Sequence, residues 1–199
     1  YYLWNTVDLT PALAWLRQRN AVRPVAERVL PVALLLRAVA RAAQEFPDMN
    51  GTYEGDRYLP AATVNLGVAI AQRSGGLIAP ALRDANTLEL DVLMQRLSDL
   101  VRRARDGGLR SSEVSGQTIT VTWLGDAGAG GLMGVIYPPQ VALVGIGSIQ
   151  WQARVVGGAV VPRECVTLSL SADHRVSDGR RGAQFLTAIA KMLDRPEAL

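Results

Sequence analysis

The spacing of apolar residues along the chain switches between a period of two and a period near 3.6, and each switch marks an element. Residues 1–7 read as a short strand. Thr10-Pro11 is a helix start, a hydroxyl cap followed by proline at the first helical position, for a helix running to about Arg19. Leu30-Pro31 opens a second helix. Its apolar positions Val32, Leu35, Leu36, Val39 and Ala43 leave almost no polar face, which predicts burial, and it ends before Pro47. Two short strands follow over residues 50–53 and 56–59, turning at Glu54-Gly55. Residues 63–71 form a continuous apolar run, as expected of a strand covered on both faces.

Asn86 or Thr87 then caps a long helix, with Glu89 placed three residues after Asn86 as in a capping box. This helix is predicted over residues 88–105, with Leu90, Leu93, Leu97, Leu100 and Val101 on one side. Its basic last turn, Arg102-Arg103-Ala104-Arg105, complements the negative end of the helix dipole. Gly107-Gly108 ends it, and a helical turn is expected at 112–115. Strand candidates come next at 118–124, 141–149 and 151–156, the last paired through Gly157-Gly158 with 159–162. A strand at 166–173 and a helix at 179–193 close the chain. The sum is a single-domain α/β fold (an α+β sandwich): one large mixed sheet covered by helices.

Composition changes this picture mainly by exclusion. A chain of 199 residues that is 49% hydrophobic and 20% charged has a real core and is not a disordered tail. The net charge of +3 is spread thinly and no basic-aromatic stripe exists, so no nucleic-acid surface is read. No apolar run has the length of a membrane span and no signal peptide is visible. The single cysteine, Cys165, rules out an internal disulfide and fits a reducing cytoplasm. No metal site is read. The chain opens in mid-pattern at Tyr1-Tyr2-Leu3-Trp4, as a piece of a longer protein would.

The densest chemistry lies near the end, in Ser171-Ala172-Asp173-His174-Arg175-Val176-Ser177-Asp178-Gly179. His174 is the only histidine. It falls between the alternating run Val166-Thr167-Leu168-Ser169-Leu170 and the start of the last helix. There a base can be held rigidly yet face a cleft, and an aspartate four residues on can fix the orientation of the ring. A lone histidine at a strand end is more often structural than catalytic, so this placement alone is weak evidence. Cys165 is not a partner for it: nine residues of extended strand separate the two by roughly 30 Å.

The longer pattern is more specific. His-x-x-x-Asp-Gly, preceded by Ser-x-Ser-x-Asp and followed by an apolar helix carrying Phe185-Leu186, resembles the signature of the dihydrolipoamide acyltransferase (E2) catalytic cores of 2-oxoacid dehydrogenase complexes. Chloramphenicol acetyltransferase shares its shorter core. Further pieces match in order: Glu45-Phe46-Pro47-Asp48-Met49-Asn50, Asn65-Leu66-Gly67-Val68-Ala69, Gly76-Leu77-Ile78-Ala79-Pro80, Gly116-Gln117-Thr118-Ile119-Thr120-Val121-Thr122, and Pro138-Pro139-Gln140-Val141-Ala142 with Gly145-Ile146-Gly147. The resemblance implies a chloramphenicol-acetyltransferase-like fold over residues 1–199. It also implies a catalytic domain slightly truncated at its N-terminus, with lipoyl and peripheral subunit-binding domains outside this chain. Lys191, the only lysine, lies in a helical pattern rather than at a hairpin tip, so the lipoyl group must be carried elsewhere.

The chemistry implied is transfer of an acyl group between the thiols of dihydrolipoamide and coenzyme A, with coenzyme A as co-substrate and no metal. His174 would deprotonate the attacking thiol. Thr122, in the position of the family's serine, would donate its hydroxyl to the tetrahedral oxyanion. Asp178 reads as orienting the loop and His174 rather than transferring protons, and as a helix N-cap, two roles that can hold together. Asp173 and Arg175 read as a structural ion pair. Trp123, Gly147 and Ser148 would border the coenzyme A channel. The family's partners follow: a homotrimer with histidine of one subunit facing the serine or threonine of the next, trimers built into a larger core, and the E1 and E3 components reached through the missing domains.

There are departures. Trp123 replaces an asparagine, the run Gln72-Arg73-Ser74-Gly75-Gly76 lacks an aspartate, and the loop Asp126-Ala127-Gly128-Ala129-Gly130-Gly131 is glycine-rich. The Ser-Ala-Asp-His-Arg run and Pro-Pro-Gln-Val-Ala lean toward the branched-chain subtype. Two alternatives stand beside the active core: a scaffold with weakened catalysis, and a free-standing acetyltransferase of the chloramphenicol type.

Overall fold

A computed structural model describes residues 1–72, 75–125 and 128–199; Arg73, Ser74, Asp126 and Ala127, from two of the divergent loops, lie outside the described residues. In chain order the elements are β1 (Tyr2–Asp8), α1 (Thr10–Ala21), α2 (Pro31–Glu45), β2 (Gly51–Glu54), β3 (Arg57–Pro60), β4 (Leu66–Val68), β5 (Ile70–Ala71), β6 (Leu77–Ile78), β7 (Ala81–Leu82), α3 (Leu90–Arg105), α4 (Ser111–Val114), β8 (Ile119–Trp123), β9 (Ala142–Ile146), β10 (Gln150–Val156), β11 (Ala159–Ala172) and α5 (Gly179–Leu193). The main sheet runs β1-β11-β9-β8-β4-β7, and β10 also pairs with β11. It is mixed: β8 is parallel to β9 and to β4, and the other pairs are antiparallel.

The two faces of this sheet are unlike, and β11 shows why. Val166, Leu168 and Leu170 are buried in the core, on the side where α5 packs across β1 and β11 and α2 packs against α5. Phe185 of α5 is fully buried there and meets the Phe46 ring edge-on at 5.7 Å. The alternate residues Thr167, Ser169 and Ser171 point the other way. Among the described residues, that second face carries no helix. It is crossed by an extended segment, to which Ser169 and Ser171 donate hydroxyl hydrogen bonds at the Leu132 and Gly134 carbonyls. The helix that reads as apolar all round, α2, is buried along most of its length, including Arg37, whose guanidinium is spent on the Ala85, Asn86 and Leu199 carbonyls.

Several expectations are corrected. Thr10 does not cap its own helix; Leu9 occupies the cap position, and the Thr10 hydroxyl accepts from the Glu164 amide instead, tying α1 to β11. The apolar run over 63–71 is two strands in two sheets, because β4 stays with β8 while β5 turns to pair with β6. The capping box before α3 is not formed. The Asn86 side-chain oxygen Oδ1 accepts from the Val64 amide, the Thr87 hydroxyl donates to the Asp84 carbonyl, and the helix begins at Leu90. The strands expected at 159–162 and 166–173 are one continuous strand, β11. The basic end of α3 is also paired, Arg102 and Arg103 with Asp99 and Arg103 with Glu113 of α4. Among the described residues no helix is long and apolar enough to cross a membrane.

Candidate active site

β11 ends at Ala172 and α5 begins at Gly179, and the connection between them is built on Asp173. Its amide donates to the Val141 carbonyl at 2.8 Å. Its own carbonyl accepts from the Val176 and Ser177 amides at 3.0 and 3.2 Å. Its carboxylate accepts from both the amide and the guanidinium of Arg175. That guanidinium lies 3.8 Å over the ring of Tyr53, so the β2–β3 hairpin clamps the turn from outside. Asp173 and Arg175 are therefore the structural pair that the sequence indicates.

Arg175 holds the Asp173 carboxyl below the usual carboxylate range. A depressed acid contributes stability that is fully present above its unfolded value, near pH 4, and is lost as pH falls through the lowered one. Asp173→Asn is expected to remove this part of the acid limb. Thermal unfolding followed between about pH 5 and pH 2 checks it, since equal acid slopes in parent and variant would refute the assignment.

His174 stands at the crest of this turn, exposed to solvent. Its imidazole packs edge-on against the ring of Tyr1, with centroids 5.1 Å apart and planes at 68°. Among the described residues neither ring nitrogen has a hydrogen-bond partner, so both are open to a ligand. Asp178 is the N-cap of α5, accepting from the Arg181 amide at 2.8 Å, and among the described residues it makes no hydrogen bond to the imidazole.

Thr122 is half-buried on β8, opposite Gly145 of β9, which is in turn opposite Ser169 of β11. It therefore shares the helix-free face with Ser169, and its hydroxyl has no partner among the described residues. His174 lies on the turn past the end of β11, whose last residue, Ala172, is three residues beyond Ser169 and two strands across from β8, roughly 10 Å along the sheet and 10 Å over it. The chain does not bring His174 and Thr122 together by itself.

The three residues expected along the coenzyme A channel are likewise dispersed. Trp123 points to the helix side, where it helps line an apolar crevice of about 700 Å³ between α3 and the ends of β4 and β8, and its indole N–H is buried with no partner among the described residues. Gly147 is glycine because its own chain passes over it: a Cβ there would stand 2.3 Å from the Gly130 carbonyl oxygen. The Ser148 hydroxyl is buried and donates to the Gly125 carbonyl at 2.6 Å. Gly147 and Ser148 thus seat the segment that crosses the open face. No group of acids, histidine and cysteine among the described residues is arranged to hold a metal. Cys165 is buried on β11, remote from His174. Sequence reasoning missed Tyr1 and Tyr53, because their contacts with the turn come from strand register and a hairpin distant in sequence.

A Pseudomonas aeruginosa lipoamide acyltransferase component of the branched-chain alpha-keto acid dehydrogenase complex is 34% identical over 98% of this chain, which covers 45% of that protein. The crystal structure of a probable dihydrolipoamide acetyltransferase from Listeria monocytogenes superposes with a TM-score of 0.91 at 31% identity, covering 98% of this chain and 84% of that one. The cubic core of a pyruvate dehydrogenase multienzyme complex gives 0.87 at 27% identity, covering 100% of this chain and 82% of that one. Chloramphenicol acetyltransferase, 17% identical with a TM-score of 0.60, shares the fold alone. The chain spans about a third to a half of the length of the curated relatives it matches. Residues 1–199 match throughout the family described as 2-oxoacid dehydrogenases acyltransferase (catalytic domain), and the chain belongs to that family.

Proposed function

We propose that this chain catalyses acyl transfer between the thiols of dihydrolipoamide and coenzyme A, as the catalytic domain of a longer protein in a 2-oxoacid dehydrogenase complex. The observation that carries the reading is the state of His174: an exposed imidazole on a turn fixed by Asp173 and Arg175, with no hydrogen bond among the described residues. A structural histidine is normally satisfied by its neighbours. This one is braced and left open.

The chemistry runs through three groups. The imidazole takes the proton of the attacking thiol, and the resulting thiolate adds to the thioester carbonyl. The tetrahedral oxyanion accepts a hydrogen bond from the Thr122 hydroxyl. Collapse breaks the carbon–sulfur bond to the departing thiolate, which recovers the proton from the imidazolium. Asp178 serves this step indirectly, by starting α5 at the end of the turn. Coenzyme A acts as co-substrate on the helix-free face with Thr122, and the lipoyl group arrives on a separate domain, as does contact with the other enzymes of the complex.

The distance between His174 and Thr122 supports a site shared between copies. We place it in a homotrimer that builds into a larger core, as the family resemblance implies. The helix-free face and the β10–β11 hairpin leave Trp4, Tyr137 and Trp151 at 65%, 71% and 68% exposure, a patch that a neighbouring copy would cover. A cytoplasmic location fits the lone buried thiol. The branched-chain and pyruvate types both remain in this reading, with the motif spelling favouring the first.

The test is acyl transfer from acyl-CoA to free dihydrolipoamide with acetyl and isobutyryl donors, measured on the assembled protein. Turnover is expected with at least one donor, and the ratio of kcat/KM between them identifies the acyl class. An intact assembly with no turnover on either donor would favour a scaffold instead.

A further inference from the structure

The reading above gives His174 its task but leaves its ring without a hydrogen bond among the described residues, since Asp178 caps α5 and does not bond the imidazole. An imidazole free to rotate about both side-chain torsions presents its nitrogens in the right plane only part of the time. We infer that Tyr1 is the positioning residue for His174: its ring sets the plane of the imidazole from the edge, and its hydroxyl ties that ring to the catalytic turn.

Three independent features of the fold converge on Tyr1. The first is register. β1 pairs antiparallel with β11, Tyr2 opposite Ser171, and Tyr1 continues the ladder: its carbonyl accepts from the Ala172 amide at 3.0 Å, and its nitrogen donates to the Ala172 carbonyl at 2.8 Å. The backbone of Tyr1 is thereby fixed two residues before the base. The second is the hydroxyl, 2.8 Å from Ser177 Oγ, with Ser177 in turn 3.9 Å from Met49 Sδ. The ring is pinned at its far end to the same turn that carries His174. Burial raises the Tyr1 pKa, which keeps the phenol neutral for that bond.

The third feature is an accommodation made elsewhere. Gly182 sits in the first turns of α5, where alanine would be the better helix former. A Cβ there would stand 2.9 Å from the Tyr1 ring, and equally close to Leu3 and Leu170. The helix leaves out a side chain where the tyrosine ring passes. The ring is thus wedged between α5 and the imidazole, and it meets the imidazole in the edge-on geometry that aromatic quadrupoles favour.

This inference rests on the acyltransferase reading, and the experiment separates the two. Full-length assembled protein is compared as wild type, Tyr1→Leu, Tyr1→Phe, Gly182→Ala and His174→Ala. Steady-state acyl transfer is measured, together with the NMR signal of the His174 imidazole, identified by its loss in His174→Ala. Tyr1→Leu is expected to lower kcat about tenfold through misorientation of the base, with KM for both thiol substrates changed by less than about twofold. The imidazole signal should shift as the ring current of Tyr1 is removed.

Tyr1→Phe keeps the edge contact and should hold kcat within about threefold. Gly182→Ala pushes the ring without deleting it and should lower kcat in the same direction, which keeps the test valid if Tyr1→Leu fails to assemble. Unchanged kcat in a folded Tyr1→Leu protein, or in Gly182→Ala where Tyr1→Leu does not assemble, overturns the inference. So does a loss in Tyr1→Phe as large as that in Tyr1→Leu. Full activity in His174→Ala would instead overturn the acyltransferase reading itself.

Discussion

Replacing His174 with alanine is expected to lower kcat for acyl transfer by about a thousandfold while leaving the protein folded and assembled. The size follows from the step removed, since a positioned general base contributes about 10² to 10⁴. The selectivity follows from the structure. The side chain is exposed, makes no hydrogen bond among the described residues, and touches the rest of the chain through the Tyr1 ring. Its removal opens no cavity, and the turn beneath it is held by Asp173, Arg175 and Tyr53 without its help.

The residual rate should also change its pH dependence. With the base gone, the reactive thiolate comes only from ionisation in solution, so the variant's rate should climb with pH until the thiol itself titrates, near about 8.5 for an ordinary thiol. Steady-state kinetics from about pH 6 to 9, beside a thermal unfolding midpoint, decide the matter. A folded variant that kept a tenth or more of the wild-type kcat would remove His174 from the chemistry.

Much of this layout is legible in the sequence, and the reasons for the exceptions are physical. The buried helix α2 and the amphipathic faces of α3 and α5 follow from apolar spacing, because burial in a helix repeats locally. Helix starts are less legible. Thr10, Asn86 and Thr87 all look like caps, yet each spends its side chain on a bond outside its own helix, to Glu164, Val64 or Asp84. A hydroxyl or amide near a helix start has several nearby backbone groups to choose from, and tertiary proximity decides among them. The split of residues 63–71 into β4 and β5 was hidden for a similar reason, since apolar content reports burial and not strand partners.

The candidate site divides in the same way. The motif around His174 is contiguous and could be recognised. The duty of Asp178 could not, because capping α5 and orienting the imidazole demand the same residue at the same place. Tyr1 reaches His174 only through the pairing of the first strand with the last, and no local pattern announces a contact across 173 residues.

Two inactive variants are expected to restore each other. Thr122→Val removes the proposed oxyanion donor while keeping a β-branched side chain on β8, and alone it should lower kcat by about 10² to 10³. His174→Ala alone removes the proposed base. If one copy supplies His174 and its neighbour supplies Thr122, a protein assembled from equal parts of the two variants contains some intact sites. A site is intact when its histidine comes from a Thr122→Val chain and its threonine from a His174→Ala chain. Random mixing in a closed ring makes that combination about a quarter of all sites, and about a third of the sites in trimers that hold both variants, so the doubly tagged hybrid should recover roughly a quarter to a third of wild-type kcat from two nearly inactive parents.

A site lying within one chain predicts no recovery, since every chain then carries a defect in its own site. The register of β8, β9 and β11 favours the shared site, because it sets Thr122 two strands across and three residues back from Ala172, the last strand residue before the turn that carries His174. Co-expressing the two variants with different affinity tags, purifying doubly tagged assemblies and measuring their acyl transfer against each parent gives the answer. Activity at the level of the better parent would confine the site to a single chain and require a different oxyanion donor near His174.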